Sequence, residues 1–160
     1  MSEAYSKNIA DAVGNALNEE ELNFSFDDEN GVFAFNLGIE GPINNLNFFI
    51  EIGDDRFLVY AVPPIAADVN NSSVTAAIAE FICRANYGMP YGNFELNVDD
   101  GEIRYKVFVQ CDDITPNKDL VIKSVYHQVL VFERYSPGIT AVLFGSANPA
   151  EQIQKCEAAE

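Results

Sequence analysis

NYGMPYGNFELNVDDGEIRYKV, residues 86–107, alternates apolar and polar residues on both sides of a single turn. The pair Asp100-Gly101 supplies the positive φ angles that a tight hairpin turn needs. The alternating apolar positions are Phe94, Leu96 and Val98 before the turn and Ile103, Tyr105, Val107 and Val109 after it. Alternation of this kind is typical of paired strands. The stretch therefore predicts a β-hairpin, and its acidic residues serve first as turn residues.

Two earlier segments show the same hairpin pattern. The first spans residues 22–37 with its tip at Asp27 to Gly31, and the second spans residues 46–62 with its turn at Gly53 to Asp55. The proline pair at 63–64 ends the fourth strand, because proline cannot donate a hydrogen bond to a sheet ladder. With the hairpin of residues 86–107, six antiparallel strands are predicted.

Helical spacing of apolar residues separates and flanks these hairpins. A first amphipathic helix is predicted over Glu3 to Leu17, and a second over Ser72 to about Ala85. The serines that can cap these two helices are Ser2, Ser6, Ser72 and Ser73. A long third helix follows from Asn117. Pro137-Gly138 is expected to break or kink it, and Asn148-Pro149 opens a short polar tail helix over residues 148–160.

The chain is predicted to be a single domain over residues 1–160. Its expected fold class is α+β, with an antiparallel sheet, helices packed mainly on one face, and the order α-β-β-β-β-α-β-β-α before the tail helix. A chain of 160 residues with 48% hydrophobic residues is long enough and apolar enough to bury one such core. No composition shift or linker suggests a second domain.

Charge excludes two classes of partner. The formal net charge is −16, and a field of that sign repels both nucleic acid and an anionic membrane surface. The N-terminus lacks the basic and apolar regions of a secretory signal, and charged residues interrupt the most apolar long segment. The three cysteines are widely spaced and form no CxxC pair, which fits reduced thiols in the cytoplasm.

Catalytic patterns are scarce. His127 is the single histidine, and it has no nearby cysteine or serine in a recognisable nucleophile context. Carboxylate pairs do occur, at Asp27-Asp28, Asp54-Asp55, Asp99-Asp100 and Asp112-Asp113, but each lies at a predicted turn or strand end. Calcium binding would need about six to eight oxygen ligands from a spaced loop, a pattern that these turns lack. No metal, cofactor or catalytic residue is therefore predicted.

The segment AEFICRANYGMPYGNFELNVDDGEIRYKVFV resembles the core motif of the YbjN-like family of bacterial proteins, which are labelled sensory transduction regulators. The matching features are Asn86 at the helix end, Gly92 before the strand, Phe94 and Leu96 within it, and the Asp-Gly turn at Gly101. The later YSPGITAVLFG resembles the closing helix of that family. These motif residues determine the fold. Asn is tolerated in left-handed backbone at a helix end, and glycine allows a tight turn into a strand.

The resemblance implies a fold related to that of type III secretion chaperones. Those are small, acidic α+β proteins that bind other proteins and are commonly dimeric. The function implied is a non-enzymatic interaction or regulatory module, chaperone-like, in a bacterial cytoplasm. The alternative is a small-ligand-binding protein or an enzyme of unrecognised type. A cleft that joins His127 to a carboxylate would favour that alternative.

Strand alternation predicts where a partner would bind. If the apolar alternates of the third and last strands face the helices, Phe49 and Phe108 face away from them. The fourth strand is apolar on both sides, so its outer set is either Phe57, Val59 and Ala61 or Leu58, Tyr60 and Val62. Our hypothesis for the partner surface takes Phe49, Phe108, Leu58 and Tyr60. Its occupant is a protein client, a regulatory partner or a second copy, unless the chain's own segment after Asn148 folds across it.

Overall fold

The computed structural model describes residues 4–158 and has an α+β fold. Its strands form one six-stranded antiparallel sheet in the order β1-β2-β3-β4-β6-β5. The strands are β1 (Ser25–Asp27), β2 (Val32–Gly38), β3 (Asn45–Ile52), β4 (Arg56–Val62), β5 (Asn93–Leu96) and β6 (Ile103–Gln110). The helices within residues 4–158 are α1 (Lys7–Glu19), α2 (Ser72–Asn86), α3 (Lys118–Gly145) and α4 (Pro149–Ala158). The predicted fold class and element order are confirmed.

The helices lie on one face of the sheet. Alternate residues of β3 and β6 that point toward them are buried, while their neighbours are exposed or half-buried. Phe94 of β5 meets Phe132 and Tyr135 of α3 through its ring. The fully buried Gln128 of α3 donates from Nε2 to the carbonyl oxygen of Val59 in β4, at 2.9 Å. The core therefore lies between the sheet and α3, with α1 and α2 beside α3.

Asn86 joins the end of α2 to the start of β5. Its Nδ2 donates to the Phe94 carbonyl oxygen at 2.9 Å, and its Oδ1 accepts from the Phe94 amide at 2.7 Å. The side chain thus satisfies both backbone groups of a buried strand residue. Gly92 just before the strand has φ +80°, and a Cβ there would lie 2.5 Å from the Tyr105 ring. Both positions have structural roles.

The turn of the last hairpin differs from the prediction in one respect. Only Gly101 has a positive φ, at +82°, whereas Asp100 does not share it. The Asp100 carboxylate instead accepts from the Glu102 amide at 2.9 Å, so the acid shapes the turn through a local hydrogen bond. Val98 was predicted to alternate as a strand residue, but β5 ends at Leu96 and Val98 is 63% exposed within the turn.

The helix boundaries correct several predictions. Ser6 caps α1 by accepting from the Ile9 amide, while Ser2 and Glu3 lie outside the described residues. Asn71, not Ser72 or Ser73, caps α2. Pro137 does not end α3, which continues through it as one 28-residue helix. Burial of this helix against the sheet and against α2 and α4 outweighs the local cost of proline.

Candidate functional site

The face of the sheet that points away from the helices carries a group of apolar side chains, and we call this face the open face. In the structure β4 turns Leu58, Tyr60 and Val62 toward it, since Phe57, Val59 and Ala61 are fully buried on the helical side. The apolar members of the open face are Val32, Ala34, Phe49, Leu58, Tyr60, Val62 and Phe108.

Strand register makes these residues neighbours. Phe49 of β3 lies opposite Tyr60 of β4, and Leu58 of β4 lies opposite Phe108 of β6. Directly opposed side chains of antiparallel strands have Cβ atoms about 5 Å apart, so the four side chains form one patch. Phe49 is 38% exposed and Phe108 is 50% exposed, whereas Tyr60 is 9% exposed. The four residues of the predicted partner surface are therefore brought together.

The C-terminal helix does not cover this patch. Helix α4 packs against α2 and α3, which lie on the opposite side of the sheet, and it buries Ile153 and Cys156 there. The Arg134 Nε of α3 donates to the Cys156 carbonyl oxygen at 3.3 Å. Residues 149–158 therefore do not fold across the open face, which was the alternative for the segment after Asn148.

A cluster of charges borders the patch on the β5–β6 side. Glu95 accepts from Arg104 Nε at 2.6 Å and from Lys106 Nζ at 2.5 Å. Burial opposes ionisation of Glu95, but these two hydrogen bonds and charges hold the pKa of its carboxyl below the usual value. The Arg104 guanidinium lies 4.2 Å from the centre of the Tyr60 ring, which places a cation on an aromatic face. Burial, followed by the Glu51 charge, raises the pKa of Tyr60.

Charge is balanced on the open face although the chain is strongly acidic. The outward positions of the six strands hold three acids and three bases, so their net charge is 3 − 3 = 0. They are Asp27, Glu51, Glu95, Arg56, Arg104 and Lys106. The whole chain carries −16. The excess negative charge therefore lies elsewhere, and an acidic partner meets less electrostatic repulsion at the open face than over the rest of the chain taken as a whole.

His127 lies beside a small cleft on the helical side. The cleft has a volume of about 250 Å³ and is bounded by Tyr91, Tyr105 and Leu130 among other residues. His127 Nε2 lies 3.0 Å from the Tyr91 carbonyl oxygen, and its ring meets the Tyr91 ring. Burial lowers the pKa of His127, which favours a neutral ring that donates to this carbonyl. Among residues 4–158, those that line the cleft include no carboxylate, so His127 has the surroundings of a structural histidine in this part of the chain.

The acidic turns remain turns in the structure. Asp27 accepts hydrogen bonds from the Asn30 side chain and backbone, and these bonds lower the pKa of its carboxyl. Asp54, Asp112 and Asp113 line a shallow cleft at one end of the sheet. Within residues 4–158, however, no group of three or more acids, histidines or cysteines is arranged to hold a metal ion.

Comparison with known proteins assigns no family: no protein-family model matches this chain, and no curated protein matches its sequence. In the part of the chain that the structure describes, no helix is long and apolar enough to cross a membrane. Sequence reasoning had not found the Glu95, Arg104 and Lys106 cluster. The signal that could have found it is the pairing of Glu95 with Arg104 across the last hairpin.

Proposed function

We propose that this chain is a non-enzymatic protein-interaction module that binds a protein partner through the open face. The observation that carries the proposal is the uncovered apolar patch around Phe49 and Phe108 on an otherwise acidic protein. Contiguous exposed apolar patches on soluble proteins often mark binding surfaces, whereas scattered apolar residues do not. An apolar centre bordered by polar residues is the usual anatomy of a protein interface.

The resemblance to YbjN-like regulators and secretion chaperones supports the same proposal. In this proposal the chain acts as a chaperone-like or regulatory module of a bacterial cytoplasm. Cys83 is exposed and unpaired, while Cys111 and Cys156 are buried and unpaired, which suits a reducing compartment. The Asn86 and Gly92 contacts hold the hairpin to α2 and β6, which is the structural role that the resemblance implies for these motif residues.

The rival proposal, a small-ligand site or an enzyme, has the cleft beside His127 as its strongest support. Tyr91 lines this cleft, and its hydroxyl is buried without a hydrogen-bond partner among residues 4–158. Against this, His127 is bonded to a backbone carbonyl, and the Tyr135 hydroxyl already donates to Glu157 at 3.0 Å. His127 and Tyr135, two groups of the cleft that general acid-base chemistry could use, are therefore already engaged in hydrogen bonds of the fold.

Replacing both exposed aromatics tests the proposal. We expect Phe49→Ser combined with Phe108→Ser to weaken association by about 2 kcal/mol or more, because aromatic anchors dominate interface energies. That loss corresponds to roughly a 30-fold higher dissociation constant. Sedimentation velocity and pull-down from the soluble proteins of the host would measure it. Circular dichroism should show a folded protein, since both side chains point away from the core.

The matched control removes two exposed aromatics from the helical side. Tyr87 is 91% exposed and Phe144 is 68% exposed, and neither lies on the sheet. Tyr87→Ser combined with Phe144→Ser should leave association as it is in the unmodified chain. If the open-face pair behaves like this control, or if it unfolds the protein, the role of the open face is refuted.

A further inference from the structure

We propose that the partner on the open face is a second copy of this chain, held in a two-fold symmetric dimer centred on β4. This inference rests on the proposed function and names its partner. The axis would lie in the interface, parallel to the two facing sheets, and cross over β4 midway between Leu58 and Tyr60, the two central outward residues of the strand. Such an interface uses the same patch on both copies, so the patch must complement itself in shape and charge.

The register of the sheet places opposite charges symmetrically about this centre. Glu51 of β3 lies opposite Leu58, and Lys106 of β6 lies opposite Tyr60. The two charged residues therefore flank β4 on opposite sides and in neighbouring rows, roughly 12 Å apart from the strand and residue spacings. A two-fold axis that lies in the interface, at right angles to the line joining these two residues, sets each of them over the other residue of the partner copy. Each Glu51 then faces the partner's Lys106, and the dimer contains that ion pair twice.

The same axis brings the exposed aromatics onto apolar neighbours. Phe108 of β6 lies next to Leu58, and Phe49 of β3 lies next to Tyr60. The two phenylalanines therefore also flank β4 on opposite sides, on the diagonal that crosses the one from Glu51 to Lys106. With Glu51 set over the partner's Lys106, Phe108 moves toward the partner's Leu58 and Phe49 moves toward the partner's Tyr60. Burial of both phenylalanines on both copies would place four aromatic anchors at the middle of the interface.

Charge also favours a second copy over a strongly basic partner. Two chains of −16 repel each other, so close approach requires a face without excess negative charge. The open face meets that requirement, whereas a strongly basic partner would be drawn to the acidic remainder of the surface. Moreover, Glu51 makes no ion pair within residues 4–158, and the cluster of one acid and two bases around Glu95 holds a surplus positive charge. The surplus positive charge of one copy can therefore pair with Glu51 of the other.

A charge exchange on the full chain tests the dimer. Glu51→Lys and Lys106→Glu should each raise the dimer dissociation constant about tenfold or more, because each single change sets like charges against each other at two symmetric places. The double variant Glu51→Lys with Lys106→Glu should bring the constant back below that of either single variant, since the pairs across the interface are restored in reverse while the ion pair of Lys106 with Glu95 inside each copy stays lost. Sedimentation equilibrium measures the constant, and thermal unfolding shows that each variant is folded.

Asp11→Lys is the control for net charge. Asp11 is exposed on α1, on the helical side, so reversing its charge should leave the dissociation constant unchanged or slightly lower. A sedimenting monomer at every concentration up to the solubility limit overturns the second-copy inference. Failure of the double variant to restore a dimer that both single variants weaken overturns it as well. If that monomer still captures another protein, and Phe49→Ser with Phe108→Ser abolishes the capture, the proposed function stands alone. If the paired serine changes alter no association, the proposed function itself fails.

Discussion

Alanine in place of Gly101 should cost the protein about 4 kcal/mol or more of its free energy of unfolding, because backbone strain and a backbone clash act together. Gly101 has φ +82°, and an added Cβ would lie 2.1 Å from the Ala67 carbonyl oxygen. That oxygen belongs to a backbone that is itself held in place, since the Ala67 amide donates to the Gly101 carbonyl at 2.9 Å. The bridge between Ala66 and Glu102 would have to open as well. Chemical denaturation at one fixed protein concentration measures the loss.

Gly88 provides a matched control for this change. Its φ is +84°, nearly the same as at Gly101, but no atom of the described part of the chain lies within 4 Å of a Cβ built there. Gly88→Ala therefore carries the backbone strain alone and should cost about 1 to 2 kcal/mol. The difference between the two variants measures how tightly the hairpin turn is docked on residues 66–67. Equal losses would show that this docking does not constrain Gly101.

Most of the fold follows from local patterns that the sequence displays openly. The alternation in β2, β3 and β6 has a period of two, and Gly31, Gly53 and Gly101 mark the turns of the three predicted hairpins. Such a pattern predicts both the strands and their inner faces. The pattern does not predict the inner face of β4, because the set that begins at Phe57 and the set that begins at Leu58 are both apolar. The pairing with β3 decides it, because Phe57 lies opposite Ile52, which is buried on the helical side.

Other features depend on contacts between distant parts of the chain. Pro137 predicts a helix end from local chemistry, yet α3 continues because Gly138 lets Phe81 and Cys156 pack directly on its backbone. The charge balance of the open face depends on pairing β4 with β6, which are separated along the chain by α2 and β5. No local sequence pattern predicts that Lys106 lies opposite Tyr60. The apolar half of the candidate site was therefore predictable, and its electrostatics were not.

Truncating Phe94 should have the second large effect, a loss of about 3 to 5 kcal/mol in the free energy of unfolding for Phe94→Ala. Phe94 is 2% exposed, and its ring centre lies 5.0 Å from that of Tyr105 and 5.4 Å from that of Phe132. Its edge-to-face contacts add to the burial of the ring, and alanine would leave a cavity that these neighbours cannot fill. The loss is measured by chemical denaturation.

Phe144→Ala is the control for Phe94→Ala, because Phe144 is 68% exposed and alanine is a good helix former. It should change the free energy of unfolding by no more than about 0.5 kcal/mol. A loss below about 1 kcal/mol for Phe94→Ala would contradict the assignment of Phe94 to the core.

Phe94→Ala should also affect the open face, since Phe94 anchors β5 on the core side while the adjacent Glu95 binds Arg104 and Lys106 on the other. A loosened β5 releases Lys106 from Glu95, so Phe94→Ala should alter association as well as stability, whereas Phe144→Ala should alter neither.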